Sequence, residues 1–267
     1  MTKQASSKVE TPIVRMGADK RSRRTILLTG KSKTGKTHQF RTLCEAGLKP
    51  LYVTVERKAS TIADLDFDVW PIRNVAFPLS ADEKADILAS DNGQESVIAL
   101  LDYLRREPHT YDFVYFDSMM RYCFKSLEHL LATTYSEKDG NTHKLDGRRA
   151  YGLFGRKTKL MLDLFADVAD VTAKHPAHFI ATWGTDASDR LIVGGQIVDE
   201  NTVAFHFEDV YHLELLEDDD GVRKHVMHTK GNERYLAGYS APVGVRLDDT
   251  IVEPSLYDVI TTLQGGA

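Results

Sequence analysis

At 267 residues, 42% apolar and 27% charged, the chain can bury one large core or two small ones and has the balance of a globular protein. Its net charge of −5 argues against a broad nucleic-acid-binding face, although a local basic groove is compatible with it. The two cysteines, Cys44 and Cys123, make no disulfide framework, and no apolar run reaches the roughly 18 residues of a membrane span.

The polar start "MTKQASSKVE" lacks the apolar centre of a signal peptide, so the expected location is the cytoplasm and no membrane is expected as a partner. Residues 1–24 are polar and end in "DKRSRR". They read as a solvated tail, with 1–23 a flexible basic arm and 24–267 a single domain. Strand–helix alternation then begins. "TILLTG" reads as a buried strand and "KTHQFRTLCEAG" as a helix closed by Gly47. "PLYVTVE" is a second strand and "DVWPIRN" a third. "QESVIALLDYLRRE" places Val97, Leu100, Leu101 and Leu104 at helical spacing. "YDFVYFDS" is a strand, "SMMRYCFKSLEHLLATTY" a helix, and "SEKDGNTHKLDGRR" a polar connection. A long helix is expected over roughly 149–174, with Leu153, Leu160, Leu164, Val168 and Val171 on one face. "AHFIATWG" is another strand. "DVYHLELLEDDDGVRKHVMHTK" alternates on both sides of Asp220-Gly221 and reads as a hairpin extending the same sheet. "PSLYDVITTLQ" closes the chain as a short helix. Apolar strands alternating with helices predict an α/β fold of three layers, with a mostly parallel central sheet and a C-terminal antiparallel hairpin.

The first strand runs into "GKSKTGKT", Gly30 to Thr37, which fits the P-loop pattern G-x-x-x-x-G-K-[ST] between a strand and a helix. Gly30 and Gly35 permit backbone angles and close approach that side chains forbid. The loop amides and the helix N-terminus favour a phosphate. Lys36 is expected to reach the β- and γ-phosphates, and the Thr37 hydroxyl to ligate Mg²⁺. Thr29, Gly30, Lys31, Ser32, Lys33, Thr34, Gly35 and His38 complete the expected nucleotide contacts. Lys31 resembles the lysine that follows the first glycine in MinD- and ParA-type ATPases; solvated loop charge also explains Lys31 and Lys33.

"DFVYFDS" ends in Asp117 at the same expected sheet edge, the Walker B position for holding Mg²⁺, with Ser118 as an added hydrogen-bonding group. Helix capping is the alternative role for Asp117. Glu56, at the end of "LYVTVE", is a candidate base for water. Thr182 or Trp183 in "FIATWGT" falls where a γ-phosphate sensor would stand. His206, His212, His225 and His228 show no metal-site spacing and read as strand or loop residues.

P-loop, Glu56, Asp117-Ser118, a long helix and a sensor strand in this order resemble the RecA-type ATPase core over roughly residues 24–255. Within that group the chain is most similar to the compact RecA-like ATPases of bacteriophages that act in single-strand annealing and recombination. The resemblance implies an ATPase with ATP and Mg²⁺ as cofactors, located in the host cytoplasm if phage-encoded. It further implies three partners: single-stranded DNA, further copies of the chain in a ring or filament, and a single-strand-binding protein. It assigns DNA contact to two loops, "TYSEKDGNTHKLDGRRAYG" with Lys138, Lys144, Arg148 and Arg149, and "GTDASDRLIVGGQIVDEN" with Arg190. The second loop departs from the pattern, since Asp186, Asp189, Asp199 and Glu200 outnumber its one cation. It also suggests Lys230 or Arg234 in "HTKGNER" as a finger reaching a neighbour's γ-phosphate; a solvated turn explains the same residues. Two rival functions share the loop: a small-molecule or nucleotide kinase, and a nucleotide-gated assembly protein with slow hydrolysis.

Overall fold

The computed structural model describes residues 23–56, 60–133, 135–138, 141–144, 147–170, 174–192, 200–218 and 220–265. The expected tail, apart from Arg23, lies outside the described residues, as do Val171 and residues 193–199 of the second expected DNA loop.

In chain order the elements are β1 (Thr25–Gly30), α1 (Lys36–Glu45), β2 (Pro50–Thr54), β3 (Asp68–Pro71), α2 (Ala81–Ala89), α3 (Val97–Arg106), β4 (Phe113–Asp117), α4 (Met119–Thr133), β5 (Tyr135–Lys138), β6 (Asn141–Lys144), α5 (Gly147–Ala169), β7 (His178–Gly184), α6 (Glu200–Ala204), β8 (Asp209–Glu217), β9 (Arg223–His228), β10 (Thr250–Val252) and α7 (Leu256–Leu263). Eight strands form one sheet in the order β10-β9-β8-β1-β7-β4-β2-β3. The six strands from β8 to β3 are parallel, and β9 and β10 add antiparallel strands beyond β8.

The side-chain alternation of a strand divides the core in two. From β1, Leu27 joins Val53, Val114, Phe116, Phe179 and Ala181 under the helices that supply Leu100, Leu127 and Phe165. Ile26 and Leu28 point to the opposite face, with Tyr52, Tyr115, Ile180 and Tyr211, and are covered by Phe40 and Leu43 of α1 and Val259 and Ile260 of α7. The result is a three-layer α/β fold with a mostly parallel sheet and C-terminal antiparallel strands. Phe40 anchors the helix that follows the glycine loop. It meets Tyr52, Phe67, Phe113 and Tyr115 edge-on, with ring centroids 5.0 to 5.7 Å apart.

Four expectations need correction. Arg24 is not solvated. It is 3% exposed, and its guanidinium grips the fully buried Asp209, with Nε–Oδ2 at 2.5 Å and Nη2–Oδ1 at 2.7 Å; it also donates to the Ser240 carbonyl. The polar connection after α4 contains the paired antiparallel strands β5 and β6. The buried face of α5 is broader than the expected stripe: Val168 is buried and Leu153 and Leu164 pack against the core as expected, but Leu160 is 36% exposed, and Phe154, Met161 and Phe165 supply the fully buried positions beside them. Finally, α2 falls in a stretch with no expected element; the Ser80 hydroxyl caps it by accepting from the Glu83 amide at 3.2 Å.

Candidate active site

The carboxyl ends of β1, β7, β4 and β2 open into one cleft of about 640 Å³. Gly30 leaves β1 at φ 133°, where an added Cβ would lie 2.2 Å from the Leu213 carbonyl oxygen, so glycine is required there. The chain turns through Ser32 and Lys33 and enters α1 at Lys36, with Gly35 left-handed at φ 92°. Ser32, Lys33, Gly35, Lys36, Thr37 and His38 line the cleft. The Lys36 ammonium folds back and donates to the Gly30 and Lys31 carbonyls, both at 2.6 Å. Burial lowers its pKa to about 8, against the opposing pull of Asp117. Tyr115 secures the helix start by donating to the Lys36 carbonyl at 2.5 Å.

Strand register brings the second half of the site to this loop. Asp117 lies opposite Thr54 across β4–β2, and Phe116 opposite Ala181 across β4–β7, which sets Thr182 beside Asp117. One carboxylate oxygen, Oδ2, accepts from the Thr37 hydroxyl at 2.7 Å and from the Tyr52 phenol at 2.8 Å; Oδ1 accepts from the Thr182 hydroxyl at 2.6 Å. Burial, then the Asp117 charge, raises the Tyr52 pKa far above its usual value, so the phenol remains a donor. Capping falls to the neighbouring residue, since the Ser118 hydroxyl accepts from the Arg121 amide at 3.3 Å. The peptide between Asp117 and Ser118 is cis. The other sensor candidate, Trp183, is 1% exposed and donates its indole N–H to the Ile192 carbonyl at 2.7 Å.

Glu56 lies two residues beyond the end of β2, on a bend rather than at the strand terminus. Its amide and carbonyl both hydrogen-bond the Thr54 hydroxyl, at 3.0 Å each, and its side chain lines the cleft. Its Oε1 stands 3.4 Å from Arg121 Nε. Sequence patterns did not single out Tyr52 or Arg121, and they read His225, which lines the cleft, as an ordinary strand or loop residue. Tyr52 alternates within a strand and lines the cleft only because sheet order sets β2 beside β4, and Arg121 follows the Asp-Ser pair and meets the cleft residue Glu56 only through the direction of α4.

Other expected contacts lie elsewhere. Thr29 is 1% exposed and turned toward β8, where its hydroxyl donates to the Tyr211 carbonyl at 3.2 Å and meets His212 Nδ1 at 3.0 Å. It is a sheet residue, not a cleft residue, because the alternation that aims Leu28 at one helical layer aims Thr29 the other way. Gly30, Lys31 and Thr34 shape the loop, with the Thr34 hydroxyl donating to the Lys31 carbonyl at 2.9 Å. The Lys31 ammonium pairs with Asp189 Oδ1 at 2.8 Å, and Arg234 Nη2 holds the other oxygen at 2.5 Å. Burial opposes the Asp189 charge, but Lys31 and Arg234 outweigh it and hold this carboxyl below its usual range. Lys230 pairs with Asp249 at 3.2 Å. Both finger candidates are therefore engaged within their own chain. Arg148 and Arg149 are exposed in the first turn of α5, Arg190 is exposed beyond β7, and Lys138 and Lys144 lie on β5 and β6, where only the backbone is described. Of the four histidines, His206 meets Asp163 at 2.9 Å, His228 meets Glu214 at 3.1 Å, His212 stacks on Tyr235 at 4.4 Å, and His225 enters the cleft.

Among solved structures, the chain is similar to a KaiC-like protein from the hyperthermophilic archaeon Pyrococcus horikoshii OT3, with 16% identity, a TM-score of 0.41, and coverage of 87% of this chain and 91% of the other. It is also similar to the RadB recombinase, with 15% identity, a TM-score of 0.40, and coverage of 83% and 86%. No protein-family model and no curated protein sequence matches it. No helix among the described residues is long and apolar enough to cross a membrane.

Proposed function

We propose that this chain is a Mg²⁺-dependent, RecA-like ATP hydrolase whose turnover is coupled to single-stranded DNA in phage-type recombination, annealing or replication. The observation that carries the hydrolase reading is the meeting of Thr37 and Asp117, 2.7 Å apart at the mouth of the glycine loop. A hydroxyl and a carboxylate are hard oxygen donors suited to Mg²⁺, and Asp117 forms no ion pair among the described residues that would compete. Thr37 and Asp117 would hold the ion, which when bound supplies positive charge against the phosphate oxygens.

The loop amides and Lys36 grip the β- and γ-phosphates, and the Lys36 ammonium exchanges the Gly30 and Lys31 carbonyls for phosphate oxygens. Thr182 stands beside Asp117 as the group that reads the γ-phosphate. Glu56 takes a proton from water as the water oxygen bonds to the γ-phosphorus. The bond from that phosphorus to the β–γ bridging oxygen breaks, and ADP departs with its electron pair. Arg121 positions the Glu56 carboxylate. The DNA part of the proposal draws on the resemblance and on the cations at 138, 144, 148 and 149. Assembly into a ring or filament would let Arg234 leave Asp189 for a neighbour's phosphate.

The test is ATP turnover by wild type and Lys36→Ala, with and without single-stranded oligonucleotide, at two salt concentrations. Turnover should be lost in Lys36→Ala, and the wild type should show DNA stimulation that weakens with salt. Rates indifferent to DNA would move the reading to a P-loop kinase or a slow assembly protein.

A further inference from the structure

The cleft has a direction. Its carboxylates, Asp117 and Glu56, and the Thr182 hydroxyl stand over β4, β2 and β7, on one side of the glycine loop. A triphosphate with its reacting end there must project the rest of the molecule to the other side, over β8 and β9. That side is walled. Thr29 near the end of β1 is level with His212, whereas β8 continues to Glu217 and pairs Leu215 with His225 of β9. The β8–β9 ribbon thus rises past the sheet edge and carries His225 up beside the loop.

Two imidazoles meet at this wall. His38 lies in the first turn of α1 and His225 on β9; both line the cleft and both are half-buried. Their ring centroids are 6.2 Å apart and their planes 17° from parallel. His225 Nδ1 stands 3.2 Å from the Thr34 carbonyl oxygen and donates to it. The His225 ring also occupies the space over Gly35, where an added Cβ would fall 2.9 Å from Nδ1. Glu253 fixes the backbone of the ribbon, its Oε1 accepting from the His225 amide at 2.9 Å. Two near-parallel π surfaces at the end remote from the carboxylates suit a flat heteroaromatic ring.

We infer that His38 and His225 form the nucleobase subsite of the cleft. The occupant is the base of a nucleoside triphosphate, held by stacking on the imidazoles. This rests on the phosphate-binding reading of the glycine loop given above and adds the chemistry of the ligand's other end. Stacking uses the π face that every base presents, so ATP and GTP depend on the pair equally. The hydrogen bond to Thr34 ties the occupied subsite to the phosphate loop.

Equilibrium binding of ATP, GTP and inorganic tripolyphosphate to the full chain separates the possibilities, using wild type, His38→Ala, His225→Ala and His225→Phe. Both alanine variants should bind ATP and GTP at least about tenfold more weakly, the loss of one stacked ring, while tripolyphosphate affinity stays unchanged and reports an intact loop. His225→Phe should recover most of the loss. Independently of any variant, the imidazole C–H proton resonances of His38 and His225 should shift upfield with ATP and not with tripolyphosphate. Equal loss of tripolyphosphate and ATP would show that His225 only props the loop and would overturn the inference. So would unchanged ATP binding in both alanine variants, or a wild type that binds tripolyphosphate but no nucleotide. A wild type that binds none of the three ligands would remove the phosphate-binding reading itself, and the inference with it.

Discussion

Asp117 and Asp209 are both strand-terminal aspartates, and the sheet treats them in opposite ways. Asp209 opens β8 at the amino edge of the parallel strands. It is fully buried and receives two hydrogen bonds from Arg24 and a third from the Ser240 amide at 3.1 Å. Asp117 ends β4 at the carboxyl edge and among the described residues receives hydroxyls alone, from Thr37, Tyr52 and Thr182. A carboxylate neutralised by a buried guanidinium is committed to the fold, because removing either partner strands a charge in a low-dielectric interior. One solvated by hydroxyls keeps its charge available, as the proposed Mg²⁺ site requires. Charge alone does not distinguish a structural acid from a site acid; the chemistry of its donors does.

The contrast can be broken first at Asp209. Asp209→Ala removes the two-pronged partner of the buried Arg24 guanidinium and leaves it the more distant Glu208 carboxylate at 3.6 Å; it should cost about 3–5 kcal/mol in urea unfolding, the largest effect expected here. If the midpoint barely moves, the pair is not what fixes this edge. Asp117→Asn should do the reverse. Stability should change by less than about 1 kcal/mol, while ATP turnover falls by about 100-fold or more. A variant that unfolds before it loses activity would place Asp117 in the same class as Asp209.

A smaller effect sharpens the comparison from the cation side. Lys36 in the ligand-free chain has its pKa lowered to about 8 by burial, whereas a bound phosphate favours its charged form. Below that pH the lysine is protonated in both states and binding exchanges no proton there. Near pH 8 the free chain has lost part of the proton and the complex regains it, so binding should take up about half a proton at Lys36. Affinity should fall as pH rises further. Calorimetry in buffers of different ionisation enthalpy measures the uptake, and Lys36→Arg, charged throughout, should abolish it.

The glycine loop, its lysine and threonine, and the strand ending in Asp117 were all legible in the sequence, since each is a local pattern joined to a local element. The two-sided apolar strands revealed the parallel sheet for the same reason. Local alternation failed where neighbours decide. Thr29 lies between Leu28 and Gly30 and reads as part of the loop, yet β8 claims its hydroxyl. Arg24 reads as the end of a basic tail until Asp209, 185 residues away, is placed opposite it. Leu160 reads as core because leucines recur, yet the helix turns Met161 and Phe165 inward.

By itself, then, the sequence determined what kind of backbone turn could follow β1 and which strand ends carry acids, because those depend on residue type within a few positions. Strand order and register decided the rest. They set β7 between β1 and β4, so that Thr182 meets Asp117. They also ran β8 and β9 past the sheet edge, so that His225 meets the loop from nearly two hundred residues away. Such meetings follow from how the buried faces of whole elements pack together, and no window of chain contains that information.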